Sequence, residues 1–283
     1  MTSRTALAAF AVTGLLGGSA GVATAAPDDA APYLGTWNYD QPDAATMTDV
    51  ATMNLLGYTA QFPQIGTVTF SRGANGEVLG HTDQGCTWRF RVEPGALELA
   101  SADQHCFNRI INSEYNIDRW RVQIDGNRER EVLHANSYLA GQTFSFGLAE
   151  GRRTRAGITD RAETVRNFAG TWRFDPPDPA RLVNLGTVAG AVPVPVPTAF
   201  SGTLNYRAGN GNTIVARTDD GCDWTLAADG NTAELSPPTQ TCHGVARDFW
   251  SVAADGQRQT TIMEGTNPDG SRFLLTNGEL SRP

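Results

Sequence analysis

The sequence predicts an all-β protein of two tandem repeats, each an antiparallel eight-stranded barrel. Three observations carry that expectation: rare residues that recur at a fixed offset, apolar–polar alternation of period two, and turn pairs of the Asx-Gly type between the alternating runs. Leu34-Gly35-Thr36-Trp37 returns as Ala169-Gly170-Thr171-Trp172, and Gly66-Thr67-Val68-Thr69-Phe70 returns as Gly202-Thr203-Leu204-Asn205-Tyr206. Thr82-Asp83-Gln84-Gly85-Cys86-Thr87-Trp88 matches Thr218-Asp219-Asp220-Gly221-Cys222-Asp223-Trp224, and Trp120 matches Trp250. All 6 Trp and all 4 Cys fall into corresponding pairs, which chance similarity would not keep in register.

The chain opens with a secretory signal peptide over residues 1–25. Arg4 supplies the positive start, Ala6 to Leu16 an uncharged apolar stretch, and Ala23-Thr24-Ala25 a small-x-small cleavage pattern. The apolar stretch is shorter than the roughly 20 residues that cross a bilayer. The expected location is therefore secreted or cell-envelope, with no transmembrane anchor. The composition is bacterial in flavour: all 22 basic residues are Arg, a bias of GC-rich coding. With 30 acidic residues the net charge is −8, and both halves are mildly acidic, which disfavours nucleic acid as a partner.

The first repeat spans 26–150. Its alternating runs include Trp88-Arg89-Phe90-Arg91-Val92 and Trp120-Arg121-Val122-Gln123-Ile124, which place aromatic and aliphatic side chains on one face of a half-buried sheet. Eight strand candidates lie near 35–39, 66–71, 77–82, 86–92, 96–100, 116–124, 129–135 and 143–149. Asn75-Gly76, Asp125-Gly126, Asn210-Gly211, Asp229-Gly230 and Asp255-Gly256 supply the positive φ that tight hairpins require. Closing eight sequential strands into a barrel removes exposed edges; a small β-sandwich is the alternative. Residues 151–166, with five Arg and few apolar side chains, read as a solvated linker in which Asp160 and Glu163 cap a short helix. The second repeat spans 167–283.

Cys86 and Cys106 are 20 residues apart, as are Cys222 and Cys242, so an exported chain should carry one disulfide within each copy. Closing a loop of that length is worth about 3 kcal/mol in the chain-entropy model. Each copy also has a long apolar connection after its first strand. In copy one it carries Met47, Met53, Leu55, Tyr58 and Phe62; in copy two it carries Leu182, Val183, Leu185 and the Pro-spaced run Val192–Pro197. These stretches are too apolar for solvated loops and should pack the copies together or cap a barrel end. The Pro-spaced run favours an extended polyproline conformation.

The Gly-Thr-Trp on the first strand of each copy resembles the G-x-W signature of calycin barrels, the lipocalin and avidin group. The second lipocalin signature, T-D-Y, is not matched, since Thr82-Asp83-Gln84 falls too early and lacks the Tyr. The resemblance implies barrels able to hold one small ligand and implies no catalytic residue.

Signals for chemistry are sparse. The four histidines, His81, His105, His134 and His243, do not recur between the copies, and no spacing suits a metal. A G-x-S-x-G nucleophile elbow is absent, and Gly209-Asn210-Gly211 suits a hairpin better than a phosphate loop. Asp83 and Asp219 recur before each first Cys, which fits a turn or side-chain cap. The expectation is thus no cofactor, no metal and no catalytic residue. Indoles in a small sheet read first as core and second as ligand contacts. Copy one is the richer in aromatics: Phe90 stands where copy two has Leu226, and Tyr58, Phe62, Tyr115 and Tyr138 have no clear aromatic equivalents. If either copy holds a small apolar or aromatic ligand, the residues that would contact it are Trp37, Tyr58, Phe62, Trp88, Phe90 and Trp120. A non-catalytic secreted binding protein is the leading reading. An envelope protein–protein interaction or inhibitor module is the alternative, and an enzyme the third.

Overall fold

The computed structural model describes residues 29–55, 58–108, 113–139, 142–189 and 196–283. The segment 1–25, expected to be a signal peptide, lies outside them, as does most of the Pro-spaced run. In copy one the strands are β1 (Gly35–Tyr39), β2 (Val50–Leu55), β3 (Tyr58–Pro63), β4 (Thr67–Arg72), β5 (Val78–Thr82), β6 (Thr87–Glu93), β7 (Ala96–Leu99), β8 (Gln104–Asn108), β9 (Ser113–Asp125), β10 (Arg128–Leu139) and β11 (Gln142–Arg155). Helix α1 (Arg161–Phe168) follows. Copy two has β12 (Gly170–Phe174), β13 (Leu185–Ala189), β14 (Val196–Ala199), β15 (Thr203–Ala208), β16 (Thr213–Thr218), β17 (Asp223–Asp229), β18 (Thr232–Leu235), β19 (Gln240–Cys242), β20 (Val245–Ala254), β21 (Arg258–Thr266) and β22 (Arg272–Ser281).

Each copy is a closed antiparallel barrel of eight strands, which decides against a sandwich. In copy one the order is β1-β4-β5-β6-β7-β9-β10-β11, and β11 returns to β1 with Trp37 opposite Arg155 and Tyr39 opposite Arg153. Copy two repeats this as β12-β15-β16-β17-β18-β20-β21-β22, closed by β22 on β12. The eight alternating runs of the sequence are these eight strands. The alternation alone does not reveal the three additional strands per copy: the hairpins β2–β3 and β13–β14, attached to β11 and β22, and the short β8 and β19 beside β9 and β20. The described parts of the long apolar connections form those hairpins. Pro197 sits in the outer strand β14, where it pairs with Thr187.

All six indoles are fully buried. Trp37 Nε1 donates to the Tyr33 carbonyl at 2.8 Å while the Arg155 guanidinium lies 4.2 Å above the ring and donates to the Leu34 carbonyl. Trp172, Phe168, Arg282 and Ala169 repeat the arrangement, with Arg282 4.5 Å above the ring. An arginine at the end of the last strand, Arg155 in β11 and Arg282 just after β22, thus fixes the indole of the first and closes one end of each barrel. Cys86–Cys106 and Cys222–Cys242 are bonded, with Cα separations of 5.8 and 5.9 Å.

Residues 151–166 are not a solvated linker throughout. Gly151–Arg155 complete β11, and the Arg153 side chain is wholly enclosed, which a run of charged residues conceals because alternate members face opposite sides of the sheet. The expected cap is present: the Asp160 carboxylate accepts from the Glu163 backbone N–H at 2.7 Å at the start of α1. The two barrels pack directly. Ile65 joins Phe249, Ala253 and Ile262, Asn231 Nδ2 donates to the Tyr39 carbonyl at 2.8 Å, and Asn38 Nδ2 donates to Asp229 Oδ2 at 2.9 Å. Among the described residues, no helix is long and apolar enough to cross a membrane.

Candidate functional site

A cavity of about 530 Å³ occupies the first barrel above its closed end. The inward faces of β6 and β9 provide Trp88, Tyr115, Ile117 and Trp120: alternate residues on a strand share a face, and a bulge at Asp118 in β9 shifts the phase so that Trp120 joins Tyr115 and Ile117. Leu133 and Phe146 continue the wall on β10 and β11. Met53 and Phe62 cover it from the β2–β3 hairpin, whose Met53 is registered against Phe146 of β11. The last wall comes from the second barrel, where β21 and β22 contribute Ile262, Phe273 and Leu274. The hairpin therefore caps the barrel and meets the second copy at once, Asn277 of β22 donating to the Gln61 carbonyl of β3.

A charged layer supports the inner end. Arg153, Glu129 and Glu131 are all enclosed, with the guanidinium paired to both carboxyls. Glu131 also accepts from the Tyr39 hydroxyl and from Trp120 Nε1, each at 2.5 Å, so the layer orients two aromatic groups that line the cavity. Burial pushes Glu129 up to about 8, with the Arg153 guanidinium opposing the rise. Asp49, enclosed beside the layer and accepting from the Arg152 backbone N–H at 2.6 Å, is likewise pushed up by burial to about 8. In copy two the corresponding positions are Gln259, Thr261 and Leu280. There Trp250 Nε1 donates to Thr261 Oγ1 at 2.8 Å and Gln259 Nε2 donates to the Tyr206 hydroxyl at 2.7 Å. One copy carries an ionic layer, the other an uncharged one.

The lumen of the second barrel is occupied by its own side chains. Arg247, which stands where copy one has Ile117, lays its guanidinium 4.5 Å from the Phe273 ring centre, 5.3 Å from Trp224 and 5.9 Å from Trp250. Burial lowers its affinity for the proton to about 10, opposed by Asp220. Phe200, at the position of Gln64, contacts both Phe174 and Phe273. A short aliphatic group at Ile117 and an amide at Gln64 leave the matching space in copy one open.

The structure brings Phe62, Trp88 and Trp120 together around the cavity. Phe90 is in the core behind it, edge-on to Trp120 at 5.1 Å, and Trp37 lies at the closed end beneath Arg155; neither is among the lining residues. Tyr58 is the first residue of β3, and its side chain lies outside the described residues. Sequence reasoning missed Tyr39, Met53, Ile117 and Leu133, all residues that a duplicated core could equally bury. Side-by-side comparison of the copies would have found Ile117, through its exchange for Arg247.

The recurring aspartates behave differently in the two copies. Asp219 Oδ2 accepts from the Thr203 backbone N–H at 2.7 Å, as a turn cap should. Asp83 instead lines the cavity, against Gly66, whose φ of +91° and the carboxyl beside it leave no room for a Cβ. Burial, then the charge of Glu234 across the interface, raises Asp83 well above the ordinary carboxylate range. Among the other polar groups, His134 pairs with Asp118 at 2.7 Å on the outer face, one residue from the inward Leu133. Cys222, Cys242 and His243 converge within 4.8 Å, but the two sulfurs are spent on each other in the disulfide.

No family model and no curated protein sequence matches the chain. Among solved structures it is similar to a protein of unknown function from the DUF3598 family of Nostoc punctiforme, with 11% identity, 90% of this chain and 98% of that chain covered, and a TM-score of 0.29. It is also similar to a putative outer membrane protein of Bacteroides fragilis, with 9% identity, coverage of 90% and 99%, and a TM-score of 0.26.

Proposed function

We propose that this chain is an exported, non-catalytic binding protein whose first barrel holds one small, mainly apolar ligand, the second barrel serving as buttress and side wall. The observation that carries the reading is the 530 Å³ aromatic-lined cavity in copy one beside a lumen plugged by Arg247 in copy two. That volume falls in the range of about 300–1,000 Å³ typical of small-molecule sites, and most of the exposed wall is apolar, although Asp83, Glu264 and Arg272 are among the lining residues. Two formed disulfides and a signal-peptide pattern support export to an oxidising compartment. The calycin-like closed barrel supports one ligand per hollow copy.

Titration with the fluorescent apolar probe N-phenyl-1-naphthylamine tests this. Binding should saturate at one probe per chain and vanish in Ile117→Arg, which places in copy one the group that fills copy two. Arg247→Ala should leave the first site intact. Absence of binding, or binding that Ile117→Arg does not reduce while near-UV circular dichroism stays native, would overturn the proposal.

A further inference from the structure

The walls of the two barrels differ in height at the open end. In copy one Cys106 is registered against Tyr115, and residues 107–114 run beyond that pair. In copy two Cys242 is registered against Val245, with only His243 and Gly244 between them. The next hairpin shows the same difference. Beyond Asn136 and Ser145 the chain continues through 137–144, whereas beyond Thr266 and Arg272 it turns within 267–271. The hollow barrel therefore has a collar that the filled barrel lacks. Its inward side chains, Asn108, Ser113, Ser137 and Phe144, line the cavity. Its outward side is aromatic. Glu114 of β9 is registered against Phe107 on one side and Tyr138 on the other, so the three share one face of the sheet in a single row. Phe107 is 59% and Tyr138 42% exposed, two of the four large apolar side chains that stand in solvent among the described residues. Tyr138 is fixed there, its hydroxyl donating to Asn116 Oδ1 at 2.7 Å and its ring 6.2 Å from that of His105. Apolar residues exposed singly are ordinary; two in one row on the rim of an apolar cavity form a contact surface.

We infer that this collar docks reversibly on a zwitterionic lipid surface, where the cavity takes up or releases its ligand. Size decides between lipid and protein. Aromatic side chains bury about 150–250 Å² each, so at these exposures the pair offers roughly 200 Å², against about 800 Å² per partner in a specific protein interface. Aromatic groups seat at a membrane–water boundary without a shaped mate. Charge selects the lipid. Glu114 lies within the row with its side chain 60% exposed, and the whole chain carries a net charge of −8, so an anionic headgroup layer would repel the collar. The purpose of the docking rests on the ligand-binding reading above, because an apolar ligand resides in bilayers rather than in water. The surface itself does not depend on that reading.

Flotation with phosphatidylcholine vesicles tests the surface with no ligand present. The protein should rise with the vesicles, and less so when phosphatidylglycerol replaces about a third of the lipid. Phe107→Ser combined with Tyr138→Ser should lower the partition about fivefold, and Glu114→Gln should raise it about twofold. Ile158→Ser combined with Leu182→Ser removes the other two exposed apolar groups and should leave the partition unchanged. Every variant should bind N-phenyl-1-naphthylamine like the parent, since none of these residues lines the cavity. Absence of flotation would overturn the docking and leave the row to a protein partner. Equal loss in the two double variants, or preference for the anionic vesicles, would overturn it as well. Flotation of a parent that binds no probe would sustain the docking surface and overturn the ligand-binding reading, together with the exchange it serves.

Discussion

Arg153→Leu should be among the most damaging single substitutions in the first barrel, and the full exchange of its layer for that of the second barrel should be nearly harmless. Arg153, Glu129 and Glu131 have no exposed side-chain surface, so removing the guanidinium leaves two carboxyls in a dry interior with no cation. Breaking one side of a buried pair costs about 3–5 kcal/mol, whereas replacing a buried ionic set by a packed uncharged set is often neutral or stabilising. The second barrel supplies that uncharged set. Leu280, Gln259 and Thr261 replace the ions, Tyr206 gives Gln259 its partner, and Phe174 stands where Tyr39 would lack an acceptor. The exchange is therefore Tyr39→Phe, Phe70→Tyr, Glu129→Gln, Glu131→Thr and Arg153→Leu together. For a unit of this size 1 kcal/mol moves the midpoint by about 2–4 °C. Arg153→Leu should thus lower the first calorimetric transition by roughly 6–20 °C, and the five-residue exchange should return it to within about 2 kcal/mol of the parent. A single variant as stable as the parent, or an exchange as unstable as the single variant, would refute the account of this layer.

Stability should fall as pH rises. Burial holds Asp49 and Glu129 at about 8, above their unfolded values near 4, so the folded state keeps protons that the unfolded state has released. Their contribution is complete below pH ~4 and is lost by pH ~8. The urea midpoint should drop between pH 5 and 8.5, less so in Asp49→Asn, which takes the residue of copy two at Asn184; a midpoint that climbs across that window would contradict the assignment. Reducing Cys86–Cys106 should cost about 3 kcal/mol, measured as a lower urea midpoint with the barrel still folded, since Trp88, Phe90 and Trp120 form the core without it. Arg247→Ala should open a second lumen, detectable as a second probe site of lower affinity.

What the sequence revealed and what it hid follow from one rule, that side-chain period reports a strand only when its two faces differ. Trp88-Arg89-Phe90-Arg91-Val92 has a wet face and a dry face, and so its strand was legible, as were the other seven of that barrel. β2 and β3 sit between the first barrel's mouth and the second barrel, and Met53 and Phe62 face a cavity while their neighbours meet protein; with neither face fully wet, the alternation fades. The charged run ending in Arg153 misled for the converse reason: a guanidinium buried against two distant glutamates looks like a solvated one until the strand pairing is known. The cavity was half legible. The surplus of aromatics in copy one pointed to the barrel that has the cavity, and Phe62, Trp88 and Trp120 line it, but hollowness depends on what is missing, and Ile117 reads as core until set beside Arg247.

Duplication gives the hollow barrel its support. An open lumen forfeits the dispersion contacts that interior atoms would otherwise make, so a lone barrel with a 530 Å³ space gives up packing that its filled twin retains. The losses are met at the two ends of the cavity. At the inner end the Arg153 layer pins Tyr39 and Trp120 in fixed positions through Glu131, which an uncharged Thr of the Thr261 kind could do for one of them only. At the outer end the filled barrel takes over the wall itself, and the Tyr39 carbonyl, beside the same pinned ring, is held by Asn231 and Thr232 of copy two. Tyr39 thus belongs to both, its hydroxyl on Glu131 of the ionic layer and its carbonyl on Asn231 and Thr232 of copy two. A ligand of the proposed kind that pressed on Tyr39 would bear on both at once, and Asn231→Ala should weaken probe binding although Asn231 itself does not line the cavity; unchanged probe affinity in that variant would refute the coupling.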